Sequence, residues 1–145
     1  MAEFGYNNVQ TIQYDSQAEL STIIPCNKGY VIHREGSGII TLRGIVNNPS
    51  ACFARYLIEF SANIALSAGE TVGPISVTII IDGEPIGTST AIVTPAAVGD
   101  YFNVSCNAII SVPRGCCYNI SIENNSTGQV TIDMQNANMI VSRIA

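Results

Sequence analysis

A chain of 145 residues with 47% hydrophobic side chains has material for one core of ordinary size, yet its charged share of 12% is about half of the roughly 25% usual in soluble domains. Six Lys and Arg against eleven Asp and Glu leave a net charge of −5, and the basic residues never cluster, which argues against nucleic acid and anionic membranes as partners. Isoleucine and valine number 22 and 11 against 4 leucines, a balance that favours strands over helices, so an all-β domain is expected. No basic segment followed by an apolar core opens the chain and no 18-residue apolar run occurs, so neither a signal peptide nor a membrane span is predicted.

In chain order, residues 1–18 read as an N-terminal arm or first strand, with Phe4 and Tyr6 as its aromatic anchors, and residues 19–145 as the domain proper. Short strands are predicted at Leu20 to Pro25, Tyr30 to Arg34 and Ile39 to Val46, broken at Asn27-Lys28-Gly29 and Gly36-Ser37-Gly38. From Cys52 to Leu66 the even positions, Ala54, Tyr56, Ile58, Phe60, Ala62 and Ile64, form one face of a long period-two strand. Ile75, Val77, Ile79 and Ile81 form another, and Asp82-Gly83 is a hairpin signal leading into a strand over Ile86 to Thr94. Phe102 to Val112 repeats the alternation, Pro113-Arg114-Gly115 turns the chain, and Cys116 to Ile122 follows. After the turn at Asn124 to Gly128, the inward phase switches from even to odd positions near Gln135-Asn136, which calls for a β-bulge inside the last strand. Eight to ten antiparallel strands in one unit describe a β-sandwich of jelly-roll type.

The residues offer little chemistry. His33 is the only histidine and reads as an ordinary strand or interface residue; no nucleophile elbow or phosphate-cradling loop is present, and Lys28 is the only lysine. Asp82, Glu84 and Asp100 fall near turns without a calcium-loop pattern, so no metal and no cofactor is expected. Cys26, Cys52, Cys106, Cys116 and Cys117 contain no C-x-x-C pair and are expected to be free, mostly buried thiols, with Cys116 and Cys117 on opposite strand faces. The glycosylation-type tripeptides at Asn103, Asn119, Asn124 and Asn125 are taken as accidents of an Asn-rich chain. Tyr6, Tyr14, Tyr30 and Tyr101 could stand outside the core and touch a sugar, but tyrosine on half-buried strands is more often packing. Leu57, Ile80 and Ile109 interrupt polar outward rows, and with the low charge they are predicted to mark an oligomer interface.

The stretch Ala54-Arg55-Tyr56-Leu57-Ile58-Glu59-Phe60, the Ile79 to Pro85 hairpin, Val112-Pro113-Arg114-Gly115 and the closing Asn138 to Ala145 resemble the TNF-like and complement-globular-head-like trimeric jelly rolls. The chain as a whole, including Ile24-Pro25-Cys26-Asn27-Lys28-Gly29-Tyr30, is also similar to small structural proteins of phages and prophages. The resemblance implies a non-enzymatic homotrimer on the outside of a virion, assembled in the bacterial cytoplasm. There it would decorate or stabilise the capsid by binding the major capsid protein, with the N-terminal arm lying along the shell. The runner-up is a receptor- or carbohydrate-binding module at a tail or fibre tip, or a spore-surface trimer, with a host-surface glycan as partner. A small hydrolase with a cysteine nucleophile is a third, less favoured reading.

Overall fold

The computed structural model describes residues 1–24, 30–33, 37–45, 50 and 52–144. Twelve strands follow in order among them: β1 (Ala2–Tyr6), β2 (Gln10–Ile12), β3 (Thr22–Ile24), β4 (Val31–His33), β5 (Ile40–Arg43), β6 (Phe53–Leu66), β7 (Ile75–Ile81), β8 (Glu84–Pro85), β9 (Ala91–Val93), β10 (Phe102–Pro113), β11 (Cys117–Asn124) and β12 (Ile132–Arg143). A single 3₁₀ turn, Gly87–Ser89, is the helical element of the described residues. Two antiparallel sheets result: one ordered β10-β6-β12-β1-β3 with β2 also on β12, the other β4-β5-β11-β7-β8 with β9 also on β7. Neighbours in each sheet come from distant parts of the chain, which is the jelly-roll pattern of a sandwich. The predicted turns Asn27-Lys28-Gly29 and at Gly36, and Cys26, lie outside the described residues.

The core lies between the inward rows. Ala54, Tyr56, Ile58, Phe60, Ala62 and Ile64 of β6 meet Ile75, Val77 and Ile79 of β7 and Ile120 and Ile122 of β11, all buried. Burying each such aliphatic side chain contributes on the order of 1.5–3 kcal/mol. The one core tyrosine, Tyr56, is fully buried because its hydroxyl donates to the Arg43 and Tyr30 carbonyl oxygens. Asp82 and Gly83 both take positive φ, 48° and 87°, as a type I′ hairpin turn requires. The bulge is also present: pairing of β12 with β6 shifts between Gln135 and Asn138, and Asn136 sits at φ 54°.

Two expectations are corrected and one alternative is decided. Of the two readings of residues 1–18, arm or first strand, the strand is the one that forms. β1 pairs with β12 and β3, β2 pairs with β12, and the segment after β2 crosses to the other sheet, where Asp15 N donates to Asn124 O (2.9 Å) and Ala18 N to Ile122 O (2.8 Å). Phe4 is 1% exposed, in the core, its ring stacked on His33 at 5.3 Å. The strand expected over Ile86 to Thr94 is broken by the 3₁₀ turn, because Ser89 turns inward: its hydroxyl donates to Ile86 O (2.7 Å) and accepts from Ile79 N (3.0 Å), standing in for a strand partner of β7. The thiols are not mostly buried: Cys52, Cys116 and Cys117 are exposed and Cys106 is buried. Cys116 closes the turn after β10, its N–H donating to Pro113 O at 3.1 Å, so of this adjacent pair only Cys117 stands on a strand.

Candidate functional site

The site is built on the outward face of the β10-β6-β12-β1-β3 sheet. Because strand side chains alternate, the odd positions of β6 that leave the core, Phe53, Arg55, Leu57 and Glu59, line up on this face. The antiparallel register places Ile109 of β10 directly opposite Leu57, with Ser142 of β12 on the other side. Ile109 is 63% exposed and Leu57 half-buried. Phe53, 47% exposed, pairs with Pro113, and the Arg55 guanidinium stands 5.6 Å from its ring. Ile144, 50% exposed, follows β12 and donates its backbone N–H to Arg55 O at 2.8 Å. One end of the face therefore carries Phe53, Leu57, Ile109 and Ile144, with Arg55 among them and Glu59 beyond Leu57 as opposite charges.

The structure brings Leu57 and Ile109 into contact range across two strands and separates Ile80 from them. Ile80 lies on β7 in the other sheet and is 3% exposed, with Ser121 and Pro85 as its register neighbours. It offers no surface to a partner. The run Ile79-Ile80-Ile81 carried the signal, since consecutive apolar residues in a strand mean burial on both faces. Tyr6 is half-buried and pairs with Ala137, so neither arm candidate is available as a free anchor. Phe53 and Ile144 were not singled out from the sequence as outward apolar residues; Phe53 stands first in the same outward row as Leu57 and could have been read from the alternation.

The other half of the face is polar. Asn103 donates to Asn63 (3.1 Å), Asn63 to Asn136 (3.3 Å) and Asn136 to Asn7 (2.7 Å), an unbroken amide chain from β10 to the end of β1. Beside it Asn138 donates to Glu3 (2.7 Å). His33 is at the far edge of the other sheet, its Nε2 donating to Ser37 O at 2.9 Å and its buried Nδ1 without a partner among the described residues. Burial pushes the Cys106 thiol up to about 11, which keeps it protonated and unreactive. Of the tyrosines raised as sugar contacts, Tyr14 and Tyr101 are exposed, and Tyr30 lies beneath the Arg143 guanidinium, 4.1 Å from its ring.

Among the glycosylation-type asparagines, Asn124 has a structural role: fully buried, it donates to Ile12 O (3.0 Å) and Val130 O (2.9 Å) and accepts from Ser126 N and Oγ. Its neighbour Glu123 faces Asp15. Burial first, then the hydrogen bond and repulsion from the Asp15 carboxyl, raise the Glu123 carboxyl to about 7.

Two sheets in this order, with the long β6, β10 and β12 adjoining, define a jelly roll of the TNF and complement C1q type. The fold is that of the Eiger TNF from S. frugiperda, matched over 100% of this chain and 92% of that one with a TM-score of 0.67 at 10% identity. The globular domain of zebrafish complement 1qA matches over 96% and 94%, with a TM-score of 0.59 at 13% identity. At such identities the likeness is one of fold. No protein-family model and no curated protein matches the sequence.

Proposed function

We propose that the chain is a non-enzymatic structural module that works as a homotrimer, its protomers joined through the apolar end of the outward face, and that it decorates a larger protein lattice. The observation that carries this reading is the grouping of Phe53, Leu57, Ile109 and Ile144 on one end of one face, in a chain whose charged share is only 12%. Outward apolar side chains grouped on one face with few charges among them are the anatomy of a subunit contact. Arg55 and Glu59 on the same row allow complementary pairs across a closed symmetric interface. The non-enzymatic reading is supported by the one histidine, which is tied to Ser37 and stacked on Phe4, and by the Cys106 thiol, which is held protonated.

The lattice setting comes from the sequence resemblance to phage structural proteins, and the outer surface of a capsid is part of the proposal. Attachment through a free N-terminal arm is withdrawn, since β1 and β2 belong to the sheet. Imaging of particles that contain the chain is the test. Density for trimers repeated over the shell is expected; density confined to a tail tip, or none, would replace decoration with receptor binding or with a role off the particle.

A further inference from the structure

The polar half of the outward face holds two adjoining troughs of about 310 and about 320 Å³ that meet at Asn138. The first is floored by Gly5 and Ala137 and walled by Glu3, Tyr6, Asn7 and Asn136; the second runs on between Glu59, Ser61, Ser105 and Asn107 to Ile140. The floor is low because Gly5 has no side chain, and a Cβ there would already stand 3.2 Å from Ala137 O. The bulge between Gln135 and Asn138 sets the wall: Asn136, at positive φ, points its amide between Asn63 and Asn7.

Much of the hydrogen-bonding capacity in the trough is unused. Among the described residues no partner is found for the second carboxylate oxygen of Glu3, the Asn7 amide nitrogen, the Asn138 amide oxygen or the Tyr6 hydroxyl. The same holds for the side chains of Glu59 and Asn107 in the second trough. We propose that this trough is a binding site for a neutral oligosaccharide, lying across β1, β12, β6 and β10.

The chemistry selects that ligand class. Amides both donate and accept, as a sugar hydroxyl does, and the two carboxylates accept from hydroxyls strongly. Gly5, lying over the Ala137 backbone, and Ile140 supply the small apolar floor that the C–H face of a pyranose packs on. Glu3 and Glu59 without a Lys or Arg in the lining disfavour an anionic saccharide or a nucleic acid. An extended peptide pairs with a sheet edge, whereas the trough crosses a sheet face whose backbone groups are already paired. The apolar cluster used for self-association lies farther along the same strands, at Phe53 to Leu57 of β6, and the trough at Ser61 to Asn63, with Glu59 at the border between the two surfaces.

The test is a microarray of neutral oligosaccharides probed with the whole chain, followed by calorimetry on each sugar retained. Asn138→Ala removes a wall amide shared by both troughs, and Ser105→Tyr, at an exposed strand position, fills the second. Each is expected to weaken binding by about ten-fold or more, the loss of one or two direct hydrogen bonds or of the space itself. Thermal melting and the mass by light scattering, read on the same samples, are expected to stay those of the parent. Retention of no neutral oligosaccharide, or equal retention by parent and both variants, overturns the proposal. A mass that changes in Ser105→Tyr without any glycan bound assigns the trough to a second copy of the chain and overturns it as well; a monomeric parent that binds sugar through these residues leaves it standing and removes only the trimer.

Discussion

Replacing Asn124 by alanine strands buried groups at the junction of both sheets. Its amide nitrogen serves the Ile12 and Val130 carbonyls, and its oxygen takes the Ser126 N–H and hydroxyl, at 2.6 to 3.1 Å. The Ser126 hydroxyl can turn to Ser76 O, 3.5 Å away, but the Val130 carbonyl and the Ser126 N–H keep no alternative among the described residues. An unsatisfied buried group costs about 1–3 kcal/mol, so two of them set the loss at about 2–6 kcal/mol. For a domain of this size that is a fall in Tm of roughly 10 °C, and a third or more of a typical total stability. Urea melts followed by circular dichroism at one fixed protein concentration are the assay, with Asn119→Ala as control. Asn119 is exposed, its side chain accepting one bond from Thr41 at 2.7 Å, and its loss is expected to cost less than about 1 kcal/mol. Equal, small losses for the two variants would refute the burial and the hydrogen bonds ascribed to Asn124.

The Glu123 carboxyl, raised toward 7 by burial and by Asp15, makes stability depend on pH with a definite sign. A folded pKa above the unfolded 4.5 means that the contribution is full below about 4.5 and is lost as pH rises through about 7, so Tm is expected to fall between pH 5 and 8 and Glu123→Gln to flatten that slope; an unchanged slope would contradict it. Under native conditions iodoacetamide is expected to label Cys52, Cys116 and Cys117 well before Cys106, which mass spectrometry of the digested protein would show; early labelling of Cys106 would refute its burial. Deleting residues 1–18 is expected to unfold the domain, since β1 fills the place beside β12, and a soluble, cooperatively melting truncation would contradict that integration.

What the sequence could show depended on whether the cause was local. The Asp82-Gly83 turn needs two residues at positive φ and carries them in its own dipeptide, and the bulge at Gln135-Asn136 announces itself as a phase switch in the apolar pattern. The long β6 and β10 are legible because alternation over more than ten residues leaves one interpretation. β1 is different: five residues, Ala-Glu-Phe-Gly-Tyr, look the same as an arm or as a strand until β12, more than 130 residues away, supplies its partner. Ser89 broke an expected strand through contacts with Thr78 and Ile79 that no local pattern encodes. For the site, Leu57 and Ile109 were legible as breaks in polar rows, while their direct opposition, and the burial of Ile80 in the other sheet, are facts of register and topology. The asparagines of the trough were visible only as composition; the bulge and the glycine floor gave them a common place.

The central claim is self-association through the Phe53, Leu57, Ile109 and Ile144 end of the face, and the most direct measurement is the solution mass by light scattering coupled to size exclusion. The parent chain at micromolar concentration is expected to elute at three times 15.4 kDa. Ile109→Asp, which places a charge on the most exposed member of the cluster and removes about 1–2 kcal/mol of apolar burial per protomer, is expected to elute as a folded monomer. A parent that elutes at 15.4 kDa, or a trimer indifferent to Ile109→Asp, would contradict the assignment.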